Sequence, residues 1–347
     1  MSAQKKYNIK LSFVIPCYNE EGNVPLMYEA IETALAGKGY RDRVELVFIN
    51  DGSKDGTRAA LRRIHAEKQD RLHIKVVDFS RNFGKEAALY AGLSNAVGEY
   101  VTIIDADLQQ RPETALEMVD FLDEHPEYDC VAAFQQKRHE GKVLTFFKDC
   151  FYKVINRLTD ITFVQGASDF RTMRRCVVDS ILSMKEYFRF SKGIFSWVGY
   201  ETYYMPYEAQ ARATGTTKWS FKKLFKYAIS GIVSFTTAPL RFATISGVLA
   251  SFLALVYLVI VLIQKLAFGI DIPGYATLVV LILFIGGIQL LMLGILGEYL
   301  SMIYVEGKHR PIYVAREVLG YEEEGQDADG AYLQSRHATE EEKNGNP

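Results

Sequence analysis

The stretch YVTIIDADLQQRPE, residues 100–113, decides how the chain folds. Its first half is a run of apolar and β-branched residues, the composition of a buried strand. That run ends on Asp105, Ala106 and Asp107, and Pro112 with Glu113 opens a helix just beyond. Chains rarely end a buried strand on two carboxylates unless a cation is there to share them, so the carboxyl end of this strand is a candidate site.

Working outward, the same grammar repeats. KLSFVIP (10–16), VELVFIN (44–50), HIKVVDF (73–79), EYVTIID (99–105) and YDCVAAF (128–134) are β-rich runs, with helical patterns such as NVPLMYEAIETALAG and TRAALRRIHAEKQ between them. Strands separated by helices predict an α/β fold with a mostly parallel sheet and helices on both faces. Ligands of such sheets bind at the carboxyl ends of the strands. Each loop there is polar: PCYNE after the first strand, DGS after the second, SRNFGK after the third and DADLQ after the fourth. None carries the G-x-G-x-x-G of a dinucleotide fold, which excludes hydride chemistry.

Asp105 and Asp107, followed at the same spacing by Gln109, form an oxygen-rich set suited to a hard divalent cation, Mg²⁺ or Mn²⁺. Such ions take one or two protein carboxylates and complete their shell with phosphate oxygens and water. A nucleoside diphosphate is the natural partner. D-x-D alone also describes a solvated turn or a helix cap; the neighbouring polar loops favour the cation.

The remainder of the 347 residues divides sharply. Residues 242–264 contain no ionisable group except a tyrosine, and residues 276–297 contain none. At ~1.5 Å per residue either run crosses a ~30 Å hydrocarbon core as a helix. Lys218, Lys222, Lys223, Lys226 and Arg241 precede the first span and Lys308, Arg310 and Arg316 follow the second, whereas the connecting loop offers only Lys265. Both termini and the sheet domain are therefore expected in the cytoplasm, and MSAQKKYNIK has no apolar run behind its lysines that would make it a signal peptide. Residues 321–347 carry a net −6 and read as a disordered acidic tail, leaving +4 on the rest of a chain whose net charge is −2. That basic remainder suits an anionic membrane surface, and nothing resembles a nucleic-acid-binding motif. Cys17, Cys130, Cys150 and Cys176 lack paired spacing and read as reduced thiols.

FVIPCYNEEGNV, FINDGSKDGT, SRNFGKEAALYAGL, IDADLQQRPE, GASDFRTMRR and ARATGTTKWSF resemble, in order and spacing, the motifs of family-2 glycosyltransferases that charge polyprenyl (dolichyl or undecaprenyl) phosphate. The likeness spans about residues 9–316, including GEYLSMIYVEGKHRPIYV after the second span. It implies a GT-A-like nucleotide-sugar-binding domain followed by an interfacial amphipathic helix and two transmembrane helices. The nucleoside falls on Pro16, Tyr18, Glu20 and Asp51, with Lys85 and Asp105 also on the donor. The metal falls on Asp105, Asp107 and Gln109, and Asp107 and Asp169 take the catalytic positions. One departure is Asn50-Asp51, where the family commonly has two aspartates, so only Asp51 is carried over.

Glycosyl transfer builds negative charge on the departing diphosphate, which a cation stabilises. Arg212 and Lys218, in the RATGTTK loop, can add positive charge at a phosphate, or else touch lipid headgroups. Lys137, Arg138 and Lys142 precede the amphipathic VLTFFKDCFYKVINRL, and Arg138 is a candidate for the acceptor phosphate; a solvated face is the alternative. Asp169 matches the family's catalytic carboxylate near the acceptor, yet an anionic phosphate needs little help from a base, so Asp169 can instead orient it. Pairing with Arg171, or capping a helix, are the plain alternatives.

The expected organisation is a cytoplasmic transferase domain (1–212), a phosphate-contacting loop and amphipathic helix (213–241), two spans (242–304), a basic segment (305–320) and the tail. Gly286, Gly287, Gly294 and Gly297 permit close helix contacts and suggest a homo-oligomer. The bacterial glucosyl-type branch is the nearest in pattern. It implies a multi-pass inner-membrane enzyme moving one hexose, UDP-glucose being the first choice of donor and GDP-mannose or another UDP-sugar the alternatives, onto undecaprenyl phosphate for cell-envelope glycans. A Q-x-x-R-W polymerase motif is absent. A non-catalytic nucleotide-sugar sensor is disfavoured by the intact Asp105, Asp107, Asp169, Arg212 and Lys218.

Overall fold

Five strands stand where the hydrophobic runs place them: β1 (Leu11–Cys17), β2 (Val44–Asn50), β3 (His73–Phe79), β4 (Tyr100–Ile103) and β5 (Cys130–Phe134). The computed structural model describes residues 9–68, 72–134, 152–153, 155–157, 159, 162–207, 236–268 and 274–320. Within them β6 (Ala167–Arg174), β7 (Thr202–Pro206) and β8 (Ala315–Leu319) complete an eight-stranded sheet in the order β7-β5-β6-β4-β1-β2-β3-β8.

The sheet is mostly parallel, as expected, with two strands running against the rest. Strands β3, β2, β1 and β4 form a parallel centre, and β7 runs parallel to β5. β6 is antiparallel to both β4 and β5, and β8 is antiparallel to β3. The reason lies in where the chain re-enters: both β6 and β8 begin at the edge carrying the carboxyl ends of the central strands, so they run back against them. Asp169 consequently sits in a strand, and the helix it was able to cap starts only at Arg175.

Helices cover both faces as expected. On one, α1 (Asn23–Ala34), α2 (Thr57–Lys68) and α4 (Pro112–Glu124) bury Met27, Ile31, Leu61, Met118 and Leu122 against Phe13, Ile15 and Phe48. On the other, α3 (Lys85–Asn95), α5 (Arg175–Ser183) and α6 (Ser191–Trp197) bury Ala88, Ala91, Ile181 and Ile194 against Val14, Ile49 and Ile103. The period-2 alternation of β1 feeds both cores. Pro16 is tolerated in this central strand because β4 pairs with β1 only as far as Val14. Its missing N–H falls beyond the last β1–β4 bond, from Ile104 N–H to Val14 O.

Helices α7 (Ala238–Phe268) and α8 (Tyr275–Glu306) are longer than the apolar runs suggested. Mean hydropathy is 2.4 over Ala238–Val261 and 2.5 over Val280–Glu306, and neither segment is buried in the protein. Phe252, Leu253, Leu283 and Leu290 are exposed, a surface that calls for an apolar solvent. Pro239 stands in the first turn of α7, where its absent N–H costs nothing.

The segment expected to be merely basic, 305–320, returns to the sheet. Glu306 at the end of α8 accepts the Tyr187 N–H at 3.0 Å. Tyr313 stacks on Phe79 with ring centroids 4.9 Å apart. The Ser80 N–H donates to Val314 O at 2.9 Å, and the Arg316 guanidinium donates to Ser80 O at 3.1 Å. β8 then pairs with β3 from Ala315↔Phe79 to Leu319↔Val76, and Glu317 forms ion pairs with Arg58 and Arg62 on α2. The membrane-type hairpin thus rejoins the sheet at the edge that bears the polar loops. Residues 208–235, which include the predicted phosphate loop and most of the amphipathic helix, lie outside the described residues, as do Cys150 and the tail.

Candidate active site

The loops after β1, β2 and β3 are stitched together by their own polar groups. Asn19 adopts φ 56°, a left-handed conformation that asparagine tolerates. Its N–H donates to Ser53 Oγ at 3.0 Å, while Lys54 N–H donates to its Oδ1 at 2.9 Å. The Glu20 N–H donates to Thr57 Oγ1 at 2.8 Å, and the Glu20 carboxylate receives the Asn23 amide at 2.6 Å. Tyr18 is exposed. Pro16, Tyr18 and Glu20 therefore stand together at the carboxyl end of β1.

Asp51 lies where the second loop meets the third. It is buried, and its carboxylate accepts the N–H groups of Phe83 (2.7 Å) and Gly84 (3.0 and 3.2 Å) and the Asn82 amide (2.9 Å). Burial raises its pKa against the pull of those backbone bonds. These contacts fill its acceptor positions, so Asp51 holds the third loop on the second. Gly52, with φ 61°, lets the two backbones meet. Neighbouring Asn50 donates to Asp78 Oδ1 at 2.6 Å and accepts the Ser53 N–H at 3.2 Å, which accounts for asparagine at this position.

The D-x-D turn follows β4. Asp105 is clamped by Gln110, a buried amide whose Oε1 accepts the Asp105 N–H at 2.8 Å and whose Nε2 donates to Asp105 Oδ2 at 3.2 Å. Gln109, the residue its spacing singled out for the metal, stays half-buried on the same turn. Asp107 Oδ1 accepts the Gln109 N–H at 3.2 Å, and Leu108 between them has φ 59°. An apolar residue held there stores roughly 1–3 kcal/mol of strain, as functional turns do. Asp105, Asp107 and Gln109 are all half-buried on this turn. Among the described residues no group of three or more His, Cys, Asp or Glu forms a metal cluster. Two hard carboxylates on one accessible turn fit an ion whose shell is completed by a diphosphate.

Lys85, the first residue of α3, joins the two halves of the site. Its ammonium lies 2.8 Å from Asp105 Oδ1 and 3.1 Å from Asp169 Oδ2. Burial disfavours that charge, but the two carboxylates overcome it and raise the lysine pKa. Asp169 shows the converse. Burial pushes its carboxyl up, and Lys85, then Lys192 and Arg171, more than offset this and bring it to about 2. The buried guanidinium of Arg171 donates to Ser168 O at 3.0 Å and lies 3.7 Å from the centre of the Phe195 ring. Arg138, Arg212 and Lys218 lie outside the described residues.

Glu86, inside the SRNFGKEAALYAGL motif, was missed by sequence reasoning, because nothing in the spacing shows that it turns inward to Ser191. Its Oε2 accepts both the N–H (2.9 Å) and the hydroxyl of Ser191. Burial is the main cause that raises its pKa to about 7, with the Asp169 charge adding and the Ser191 bonds and Lys85 opposing. A carboxyl whose folded pKa exceeds its ordinary 4.5 favours the native state at low pH and loses that contribution as pH rises toward 7. Glu86→Gln is therefore expected to flatten the fall of Tm between about pH 4.5 and 7, as read by thermal scans across that range.

A GT-A-like α/β sheet with a D-x-D turn at its carboxyl edge, backed by two long apolar helices, marks a membrane-associated glycosyltransferase. The chain belongs to glycosyl transferase family 2, whose model matches residues 12–182, and residues 238–303 match the GtrB C-terminal hairpin. It is 42% identical over 315 residues to an uncharacterized glycosyltransferase of Synechocystis, covering 90% of this chain and 97% of that protein. It is 38% identical over 309 residues to the bactoprenol glucosyl transferase of Shigella phage SfV, covering 89% of this chain and 98% of that one. Among solved structures, a mannosyltransferase of Pyrobaculum calidifontis in complex with GDP-Man and Mn²⁺ aligns with TM-score 0.42 and 18% identity, over 86% of this chain and 91% of that chain.

Proposed function

We propose that this enzyme transfers a single glucose from UDP-glucose to undecaprenyl phosphate at the cytoplasmic face of a bacterial inner membrane, releasing UDP. The observation that carries the reading is the place of the site: the D-x-D turn and the Lys85 bridge open at the very sheet edge where the α7–α8 hairpin returns as β8. A phosphate headgroup at the bilayer surface would meet the donor there. Relatives named bactoprenol glucosyl transferase, similar along nearly the whole chain, support the acceptor and the sugar. The return of residues 307–314 to the sheet favours both ends of the hairpin on the side of the catalytic domain.

Pro16, Tyr18 and Glu20 would receive the nucleoside, and Asp105, Asp107 and Gln109 would hold Mg²⁺ or Mn²⁺, which would neutralise charge on the leaving diphosphate. Asp51 holds the third loop on the second. Lys85 adds charge beside Asp105, and Arg212, Lys218 and Arg138 are reserved for phosphates. Attack by an acceptor oxygen on the face opposite the diphosphate gives inversion. An oligomer through α8 belongs to the same proposal, since Gly286, Gly287, Gly294 and Gly297 face open space within the protomer. The test is UDP or GDP release by the purified full-length protein, offered UDP- and GDP-sugars with Mg²⁺ or Mn²⁺, with and without undecaprenyl phosphate. Release requiring UDP-glucose, metal and lipid together is expected; donor binding without lipid-dependent turnover would overturn the reading.

A further inference from the structure

The third loop, residues 80–84, leads from β3 into α3, and its backbone groups find their partners on neighbouring segments. On one side the Asp51 carboxylate accepts the Phe83 and Gly84 N–H groups. On the other lies the chain returning from the apolar hairpin. The Ser80 N–H donates to Val314 O at 2.9 Å, and Ser80 O accepts the Arg316 guanidinium at 3.1 Å. Tyr313 stacks on Phe79 with centroids 4.9 Å apart, and Phe79 meets Phe83 edge to face at 5.7 Å. Phe83, Ile312, Tyr313 and Ala315 all pack against the same apolar core. Only residues 307–311 separate this returning segment from Glu306, the last residue of α8, which itself accepts the Tyr187 N–H.

From these contacts we propose that residues 312–316 are a strap that positions the donor site, with Tyr313 and Arg316 as its positioning residues. The proposal rests on the transferase reading above, which puts the donor at the D-x-D turn. Lys85 opens α3 directly after the loop, and its ammonium lies 2.8 Å from Asp105 Oδ1 on that turn. The place of the ammonium is thus set by where the loop ends. Gly84, the joint between the two, has φ 97°, a conformation open to glycine and few other residues. A joint of that kind does not hold Lys85 in place by itself. Ser80, Arg81 and Asn82 are exposed, and an exposed loop left free samples many conformations that a ligand must then restrict. Held by Asp51 within and by the strap without, the loop is ordered before the donor arrives. The hairpin therefore contributes to donor binding through the strap, besides reaching the bilayer.

The test uses the purified full-length protein, with UDP binding titrated in the presence of Mn²⁺ and KM measured separately for UDP-glucose and undecaprenyl phosphate. Tyr313→Ala is expected to weaken UDP binding and raise donor KM about 3- to 10-fold, the scale of one aromatic pair. Its acceptor KM should stay within about twofold, and Tyr313→Phe, which keeps the ring, should match wild type. Arg316→Gln, at an exposed position, is expected to raise donor KM by about the same factor through loss of its bond to Ser80 O. Should Tyr313→Ala fail to fold, Arg316→Gln decides alone. Arg62→Gln is the control: it removes an ion pair that ties the same strand to α2, and both KM values should stay within about twofold. Donor KM unchanged in either folded strap variant, or donor and acceptor KM rising alike, would overturn the proposal. So would a rise in donor KM in Arg62→Gln as large as in Tyr313→Ala, because the effect would then belong to docking of β8 as a whole. A wild type that binds no UDP with Mn²⁺ would instead sink the transferase reading.

Discussion

Asp107→Asn is expected to cut kcat by at least about 100-fold while leaving the protein folded, the scale seen when one electrostatic stabiliser of a leaving group is removed. The substitution is close to isosteric, and the asparagine carbonyl can still accept the Gln109 N–H that the carboxylate now accepts at 3.2 Å. The turn should survive with Leu108 still in its left-handed conformation. Charge is what disappears, and with it the affinity for a hard cation. Thermal scans should show an unchanged Tm, and Mn²⁺ titration in the presence of UDP should show weakened binding. Near-normal turnover in this variant would remove Asp107 from the metal assignment.

Gly52→Ala is expected to act through the backbone. Gly52 has φ 61°, and a Cβ there would overlap the main chain of Arg81 and Asn82. Left-handed strain costs roughly 1–3 kcal/mol, and displacing packed neighbours roughly another 1–3 kcal/mol. The displaced neighbours are the residues leading into the Phe83 and Gly84 N–H groups that Asp51 accepts. Donor affinity should therefore fall together with stability, by about 2–5 kcal/mol in denaturant unfolding. A stable variant with normal UDP binding would show that the second and third loops move independently.

Both variants lie in loops that the sequence located well. Apolar, β-rich runs ending in polar loops identified β1 to β5 and put Asp105, Asp107 and Lys85 at one edge, because burial of a parallel sheet demands near-continuous apolar strands. The strands that escaped notice have the opposite character. β6 carries Asp169, Arg171 and Arg174, paid for by partners distant in sequence, so its composition resembles a loop. β8, in AREVL, alternates as an edge strand with one wet face and was hidden by its basic context. Roles were harder still. Whether Asp51 faces a ligand or its own chain, and whether Gln109 or Gln110 turns inward, depends on approaches between loops that no spacing encodes. The Lys85 bridge to Asp169 is of the same kind, as α3 and β6 meet only in the folded sheet.

Because β8 belongs to the same sheet as β1 to β7, the hairpin is an insertion within the catalytic domain and not an appendage behind it. A soluble fragment made by stopping the chain before α7 would leave β3 as a bare sheet edge, its N–H and C=O groups ready to pair with another copy. It would also deprive Arg58 and Arg62 of Glu317. A water-soluble form is better built by excising residues 238–306 and splicing the flanks, so that the final strand is kept.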